Sequence, residues 1–210
     1  MIKVAIVDDH SIVRSGLRKI LRDESDMEVI AEADGYAQLL GCLKAFLPDI
    51  LLLDISMPGR SGLEIVKEIK QIYPSVKTLM LSMHPEDRFS VRAIKAGACG
   101  YVTKESAADE LVKAIRQVYY GGKFITPAVA ERLANSFELE SNKLAHERLS
   151  DREFQILGMI ASGKRIKEIA SDLSISPTTV ATYRARILEK MQLKSNVELT
   201  GYVLRHNLIE

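Results

Sequence analysis

The stretch ILLLDISMPG, residues 50–59, runs four aliphatic residues straight into a carboxylate and then into a Pro58-Gly59 turn. An unbroken aliphatic run bounded by turn residues reads as a strand buried on both faces, as in a parallel sheet. A carboxylate at its end is costly to bury without a partner. Asp54 therefore either faces water at the strand's end or is kept there for chemistry.

Short apolar runs of the same kind recur on both sides of it. They are IKVAIV (2–7), EVIAEA (28–33), DILLLD (49–54), KTLMLS (77–82) and CGYVT (99–103). Amphipathic segments lie between them. SIVRSGLRKIL assigns Ile12, Val13, Leu17, Ile20 and Leu21 to one helical face, and SGLEIVKEIK does the same with Leu63, Ile65, Val66 and Ile69. ADELVKAIRQV follows Ser106, which with Asp109 has capping-box spacing. Five strands alternating with five helices predict an α/β, doubly wound, five-stranded parallel sheet with helices on both faces and right-handed crossovers. The expected strand order is the flavodoxin-like 2-1-3-4-5.

Gly121-Gly122 closes that pattern, which sets a first domain at 1–121. Residues 122–147 read as a linker with one short helix, PAVAERLANSF (127–137), followed by the polar ELESNKLAHER. Residues 148–210 carry no strand signal and read as a small all-α domain of four helices. Ser150 with Glu153 and Ser195 with Glu198 are capping boxes by spacing. Ser176-Pro177 is an N-cap followed by proline at the first helical position, and Gly163 ends the first helix. RIKEIASDL and PTTVATYRARILEKMQ are separated only by the turn Ser174-Ile175-Ser176, the pattern of a helix-turn-helix.

Composition narrows the function classes. Of 210 residues, 47% are apolar and 27% charged, ordinary for a globular chain. A net charge of +1 gives no overall field that favours nucleic acid or membrane. No apolar run reaches the length that spans a bilayer, and Asp8-Asp9 comes too early for a secretory signal. Two cysteines, Cys42 and Cys99, without a CxxC pair, fit a reducing cytoplasm. The four histidines, His10, His84, His146 and His206, show no metal-ligand spacing and are assigned no chemistry.

In the expected strand order, ligands bind where the order reverses, at the carboxyl ends of strands one and three. Asp8 and Asp9 end the first run and Asp54 the third, so three carboxylates meet at one rim. Two such charges ~4 Å apart repel by about 4 kcal/mol at an effective dielectric of 20. A cation should reside there, and oxygen ligands favour Mg²⁺. Lys104 follows the fifth run, and Ser82 ends the fourth with a hydroxyl. This equipment suits a phosphoryl group, with Asp54 as nucleophile in an in-line displacement.

VDDH (7–10), LLLDISMPGRSG (51–62), LSMH (81–84) and AGACGYVTK (96–104) resemble a two-component receiver domain. LSDREFQILGMIASGKRIKEIASDLSISPTTVATYRARILEKMQLKSNVEL (149–199) resembles the LuxR-type helix-turn-helix. Together they are similar to the NarL/FixJ response regulators. The resemblance implies phosphorylation of Asp54 by a sensor histidine kinase, control of sequence-specific DNA binding and transcription, and homodimers when phosphorylated or DNA-bound. It makes Asp8, Asp9, Asp54 and the Ser56 backbone carbonyl the Mg²⁺ ligands. Lys104 would touch the phosphoryl group, Ser82 and Tyr101 would form the switch pair, and Pro58 and Gly62 would shape the loop after the acceptor. In many receivers a proline, often with a cis bond, follows the lysine. Here Glu105 follows Lys104, and a cis bond before a non-proline residue costs ~3–4 kcal/mol.

The second half carries ten Lys/Arg and eight Asp/Glu over residues 145–210, so DNA affinity must rest on local placement. In PTTVATYRARILEKMQ, Val180, Tyr183, Ile187 and Met191 share the face expected to pack inward. Thr178, Ala181, Thr182, Ala185 and Glu189 share the opposite face, and Thr179 joins the expected DNA contacts. The helix start suits a phosphate, and Thr182 with the Ala181 and Ala185 methyls suits base edges. Arg184, Arg186, Lys190, Lys194, Lys164 and Arg165 are the expected phosphate contacts. The family often has a basic residue at position 178 and polar or basic ones at 181 and 185; their absence here weakens the expected affinity per monomer and strengthens the case for a dimer reading two half-sites. In NVELTGYVLRH, Val197, Gly201 and Leu204 form a stripe that is a dimer interface by resemblance and part of the bundle core by default.

Two rival readings compete with this one. An aspartyl-phosphate phosphatase of the haloacid dehalogenase type generally needs an acid two residues after the nucleophile, where this chain has Ser56. A DNA binder whose first domain only dimerises would have no need of the complete residue set. The sequence therefore predicts a non-enzymatic regulator, with at most self-phosphorylation and self-dephosphorylation.

Overall fold

The computed structural model describes residues 1–83, 86–138, 144–206 and 208. His84 and residues 139–143 of the polar segment, on which sequence expectations fell, lie outside the described residues. The chain divides into two units, Met1–Glu131 and Arg132–Glu210.

The first unit alternates strand and helix throughout. Its elements are β1 (Ile2–Val7), α1 (Ser11–Arg22), β2 (Met27–Ala33), α2 (Tyr36–Ala45), β3 (Ile50–Asp54), α3 (Gly62–Ile72), β4 (Lys77–Ser82), α4 (Glu86–Ala96), β5 (Gly100–Thr103) and α5 (Ala107–Tyr119). All four strand pairings are parallel, in the order β2-β1-β3-β4-β5. Ile50, Leu51, Leu52 and Leu53 are each fully buried, as an unbroken aliphatic run in the central strand requires. Burying each such side chain contributes about 1.5–3 kcal/mol. Leu17 and Leu21 of α1 and Leu111, Ala114, Ile115 and Val118 of α5 cover one face of the sheet with Val4, Ile6, Leu52 and Leu81. Leu63, Ile65, Val66 and Ile69 of α3 are buried as their spacing predicts.

Two local expectations are overturned. Ile12 is 86% exposed, not part of the packed face of α1. At ~100° per residue it stands about 140° around the helix from Leu17, beyond the stripe that Leu17 and Leu21 bury. Ser106 does not cap α5: its backbone is already helical (φ −83°, ψ −4°), whereas a cap acceptor needs extended backbone. Its N–H donates instead to the Thr103 hydroxyl at 3.1 Å. No cis peptide bond occurs among the described residues, so Lys104–Glu105 is trans.

Helix α6 (Pro127–Glu138) spans the boundary between the units. The second unit is then a 3₁₀ turn (Ala145–Arg148) followed by α7 (Asp151–Ala161), α8 (Ile166–Asp172), α9 (Pro177–Met191) and α10 (Asn196–Arg205). Ser150 and Glu153 close a reciprocal capping box on α7. Ser176 caps α9 through the Thr179 N–H at 3.0 Å, with Pro177 next. Gly163 ends α7 at φ +83°. Ser195 accepts from the Glu198 N–H, but the Glu198 carboxylate reaches back to Lys194 N rather than to Ser195, so only half of that box forms. Val180, Ile187 and Met191 are buried beneath α9, while Tyr183 is half-buried. In α10 the core is Leu199 and Val203; Val197 and Leu204 are 82% and 51% exposed. The core reading of the Val197–Gly201–Leu204 stripe is thereby corrected, because Leu199 and Val203 take the inward positions.

Candidate functional site

The sheet topology builds the acidic cluster. Val7 pairs with Leu53, so the residues that follow them, Asp8 and Asp54, emerge side by side where the strand order reverses. Asp54 pairs with Leu81 and Ser82 with Thr103, which carries Lys104 to the same rim. The Lys104 N–H then donates to the Ser82 carbonyl at 2.7 Å.

Asp8 and Asp54 are 0% and 1% exposed. The Lys104 ammonium lies 2.7 Å from Asp8 Oδ2 and 3.1 Å from Asp54 Oδ2. Asp9 is half-buried, and His10 Nδ1 sits 2.9 Å from its Oδ1. One ammonium thus faces a cluster of three carboxylates, and buried Asp54 Oδ1 has no hydrogen-bond partner. Burial pushes the Asp54 carboxyl above the usual carboxylate range; Lys104 opposes the shift and Asp8 adds to it. Burial works against the Lys104 ammonium too, but Asp54 and Asp8 outweigh it and hold its pKa above the ordinary lysine value.

The donor atoms of Asp8, Asp9, His10 and Asp54 lie within 4.8 Å of one another. Buried oxygens short of positive charge fit a divalent cation, and the oxygen donors fit Mg²⁺ in particular. Ser56, in the loop after β3, is exposed at the same strand end. Ser82 is fully buried and Tyr101 is 2% exposed, its ring turned inward.

The raised pKa of Asp54 has a consequence for stability. A carboxyl whose folded pKa exceeds its unfolded value costs stability once the folded form ionises, and that cost is relieved as pH falls through the folded pKa. Asp54→Asn removes the buried charge at neutral pH. The thermal midpoint of the first unit in EDTA should rise, by about 2–4 °C for each kcal/mol relieved. Differential scanning calorimetry checks this, and a lower midpoint in the variant would contradict the electrostatic account.

Sequence reasoning passes over several residues around the cluster. His10 carries no role in it, yet the His10 ring faces Asp8 and Asp9. Arg14, one turn into α1, donates from Nη1 to the Asp8 carbonyl at 2.6 Å. Arg60 stands 4.4 Å above the Tyr36 ring and, with that tyrosine's hydroxyl, engages Glu68, tying the loop after β3 to α2 and α3. For His10 and Arg14 the available signal is adjacency: both stand within six residues of Asp8 on a strand-to-helix turn.

In the second unit, Ser176, Thr178, Thr179, Thr182, Tyr183 and Arg186 line one depression at the start of α9. Thr178, Thr179, Ala181, Thr182, Ala185 and Arg186 are exposed, and so are Lys194 and Arg165. Three other expected phosphate contacts have partners inside the unit. Arg184 Nε donates to Asn196 Oδ1 at 2.6 Å, and Lys164 Nζ is 2.7 Å from Asp172. Lys190 Nζ is 2.7 Å from Glu153, a buried acid on α7. Burial pushes the Glu153 carboxyl up, but Lys190 and the Ser150 cap outweigh it and hold it below the usual range. That ion pair ties the end of α9 to the start of α7. Among the described residues, no helix is long and apolar enough to cross a membrane.

Comparison with known families gives two adjacent matches. Residues 4–116 match the response regulator receiver domain, and residues 147–203 match the bacterial regulatory proteins of the luxR family. The response regulator GacA of Pseudomonas aeruginosa is 39% identical, covering 100% of this chain and 99% of its own. The response regulator UvrY of Escherichia coli K12 is 39% identical over 99% of this chain and 96% of its own. Among solved structures, RcsB from Salmonella enterica serovar Typhimurium, bound to promoter rprA with the phosphomimetic BeF3-, aligns with a TM-score of 0.65. It is 26% identical, over 96% of this chain and 97% of that one. A structure of two RcsB dimers on two parallel DNAs aligns at 0.59 with 28% identity, over 100% and 99% of the two chains.

Proposed function

This chain belongs to the two-component response regulators that join a receiver domain to a LuxR-type DNA-binding domain, and from that premise we propose that Asp54 is its phosphoacceptor. The observation that carries the reading is the Lys104 ammonium held between Asp8 and Asp54 at the rim where the strand order reverses. An Asp54 oxygen attacks the phosphorus of a phosphohistidine on a sensor kinase. The new O–P bond forms as the N–P bond breaks, and the imidazole leaves with the electron pair and takes up a proton. Lys104 offsets charge on the transferred oxygens. Asp8, Asp9, Asp54 and the Ser56 carbonyl would hold Mg²⁺, which when bound neutralises charge on the phosphoryl oxygens. The Ser82 hydroxyl turns toward the phosphoryl group, and the Tyr101 ring changes its packing in response.

The functional division follows: receiver over 1–121, linker over 122–147 and DNA-binding domain over 148–210. The protein acts in the cytoplasm and turns over no outside substrate beyond its own phosphorylation and dephosphorylation. The exposed face of α9 enters the major groove of promoter DNA. Thr178, Thr179, Ala181, Thr182 and Ala185 meet base edges or nearby phosphates, and Arg186, Lys194 and Arg165 meet phosphates. Arg184, Lys164 and Lys190 reach phosphate only by giving up their present partners. The exposed Val197–Leu204 stripe of α10 forms the contact of a DNA-bound homodimer.

Phosphorylation biases a two-state receiver toward the DNA-binding form. The experiment is fluorescence anisotropy on a duplex selected by this protein from a random pool, with and without acetyl phosphate and Mg²⁺. Affinity should rise at least tenfold on phosphorylation; equal affinity would remove the switch. Arg186→Ala should weaken binding about tenfold in either state and lower the salt slope by about one phosphate contact. An unchanged slope would place Arg186 off the DNA backbone.

A further inference from the structure

We propose that His10 is a nitrogen ligand in the acidic pocket, so that the site also takes a late first-row divalent ion such as Ni²⁺. The inference rests on the reading of that pocket as a metal site. His10 Nδ1 lies 2.9 Å from Asp9 Oδ1 and 3.4 Å from Asp8 Oδ1, and the four donor atoms of Asp8, Asp9, His10 and Asp54 fall within 4.8 Å of one another. Ligands held at ~2.1 Å on an octahedral ion stand ~3 Å apart when adjacent and ~4.2 Å apart when opposite. The 4.8 Å spread exceeds the wider of these by about 0.6 Å, so the donors must draw in by that much to share a single ion.

Two further observations support the assignment. The His10 N–H donates to Asp8 Oδ1 at 2.8 Å, which fixes the backbone beside the carboxylates. Its side chain makes no cap bond to α1 and is turned to the acids although it remains 66% exposed. The pocket also holds Asp54 Oδ1, buried and without a hydrogen-bond partner, and an Asp54 oxygen is among the clustered donor atoms. The expectation of a hard ion assumed oxygen donors only. An imidazole changes the ranking, because affinity at a nitrogen-bearing site climbs from Mn²⁺ through Co²⁺ to Ni²⁺, whereas Mg²⁺ gains little from nitrogen. The neutral ring would present Nδ1 to the ion and leave Nε2–H to solvent.

The test is isothermal titration calorimetry of the full chain with NiCl₂ and with MgCl₂, for wild type, His10→Ala and Asp9→Asn. Nickel in this pocket is the fraction that saturating Mg²⁺ displaces, which separates it from nickel held at other histidines. For His10→Ala the ratio of nickel to magnesium affinity should fall at least tenfold. The magnesium titration reports whether the variant's pocket is intact. An unchanged ratio, or the absence of any nickel that magnesium displaces, overturns the assignment of His10. If Asp9→Asn leaves both affinities unchanged, the pocket is not a metal site, and the reading beneath the inference falls with it.

Discussion

Asp54→Asn should reduce phosphoryl transfer from a phosphorylated histidine kinase, or from acetyl phosphate, by at least 10³-fold, which corresponds to ~4 kcal/mol of barrier. The substitution keeps the side-chain volume and one carbonyl oxygen for Lys104, so the packing beneath β3 is undisturbed. It removes the anionic nucleophile, and an amide oxygen does not form a stable acyl phosphate. Asp8 and Asp9 do not replace it. Asp8 Oδ2 is occupied by Lys104 at 2.7 Å, and Asp9 Oδ1 by His10 at 2.9 Å. Asp54 Oδ1 has no such partner. Radiolabel transfer read by gel autoradiography decides the matter. Label retained at the wild-type level would move the acceptor to another residue and leave the buried cluster without its assigned chemistry. Because Asp54→Asn should also stabilise the protein, lost labelling accompanied by a raised melting point separates chemistry from misfolding.

The cluster is legible in the sequence because it depends on topology. A run of aliphatic residues marks each strand, the carboxyl end of each run marks the rim, and the 2-1-3-4-5 order brings Asp8, Asp54, Ser82 and Lys104 to one place. Apolar residues in a helix do not by themselves mark how wide the buried stripe is. Ile12 looks like its apolar neighbours in α1 but stands outside the stripe that Leu17 and Leu21 bury. Cap spacing identifies Ser150 and Ser176 correctly because their backbones are extended. It fails at Ser106, where the Thr103 hydroxyl closes a helical turn first. His10 escapes notice although its partners, Asp8 and Asp9, are its sequence neighbours, because adjacency alone does not show that its ring turns back to the acids. The inward and outward faces of α10 are likewise undecided until packing assigns Leu199 and Val203 to the core.

Gly62→Ala should destabilise the first unit by about 3 kcal/mol, at the upper end of what overpacking usually costs, and lower its midpoint by ~6–12 °C. A Cβ at this position would stand 2.3 Å from the Asp54 carbonyl oxygen and 2.8 Å from Ile55 Cα. Both are backbone atoms of the strand end that presents the acceptor, so no rotamer change relieves the clash. The Gly62 N–H also donates to the Ile55 carbonyl at 3.0 Å, and Ser61 caps α3 beside it. Helix α3 must therefore move away from β3, or Asp54 must move toward the solvent. The second movement separates Asp54 from Lys104, so labelling should fall along with stability where the strand end yields. Gly59→Ala provides the contrast. Gly59 has φ +78°, and a methyl group there would meet nothing within 4 Å, so alanine costs only the left-handed backbone penalty of about 1–2 kcal/mol. Urea denaturation of both variants separates the two causes. If Gly62→Ala proves no worse than Gly59→Ala, the loop yields easily, and close contact between α3 and the strand end is not what holds the acceptor in place. If it is worse by the expected margin, the glycine after the Ser61 cap is required by the same geometry that buries Asp54.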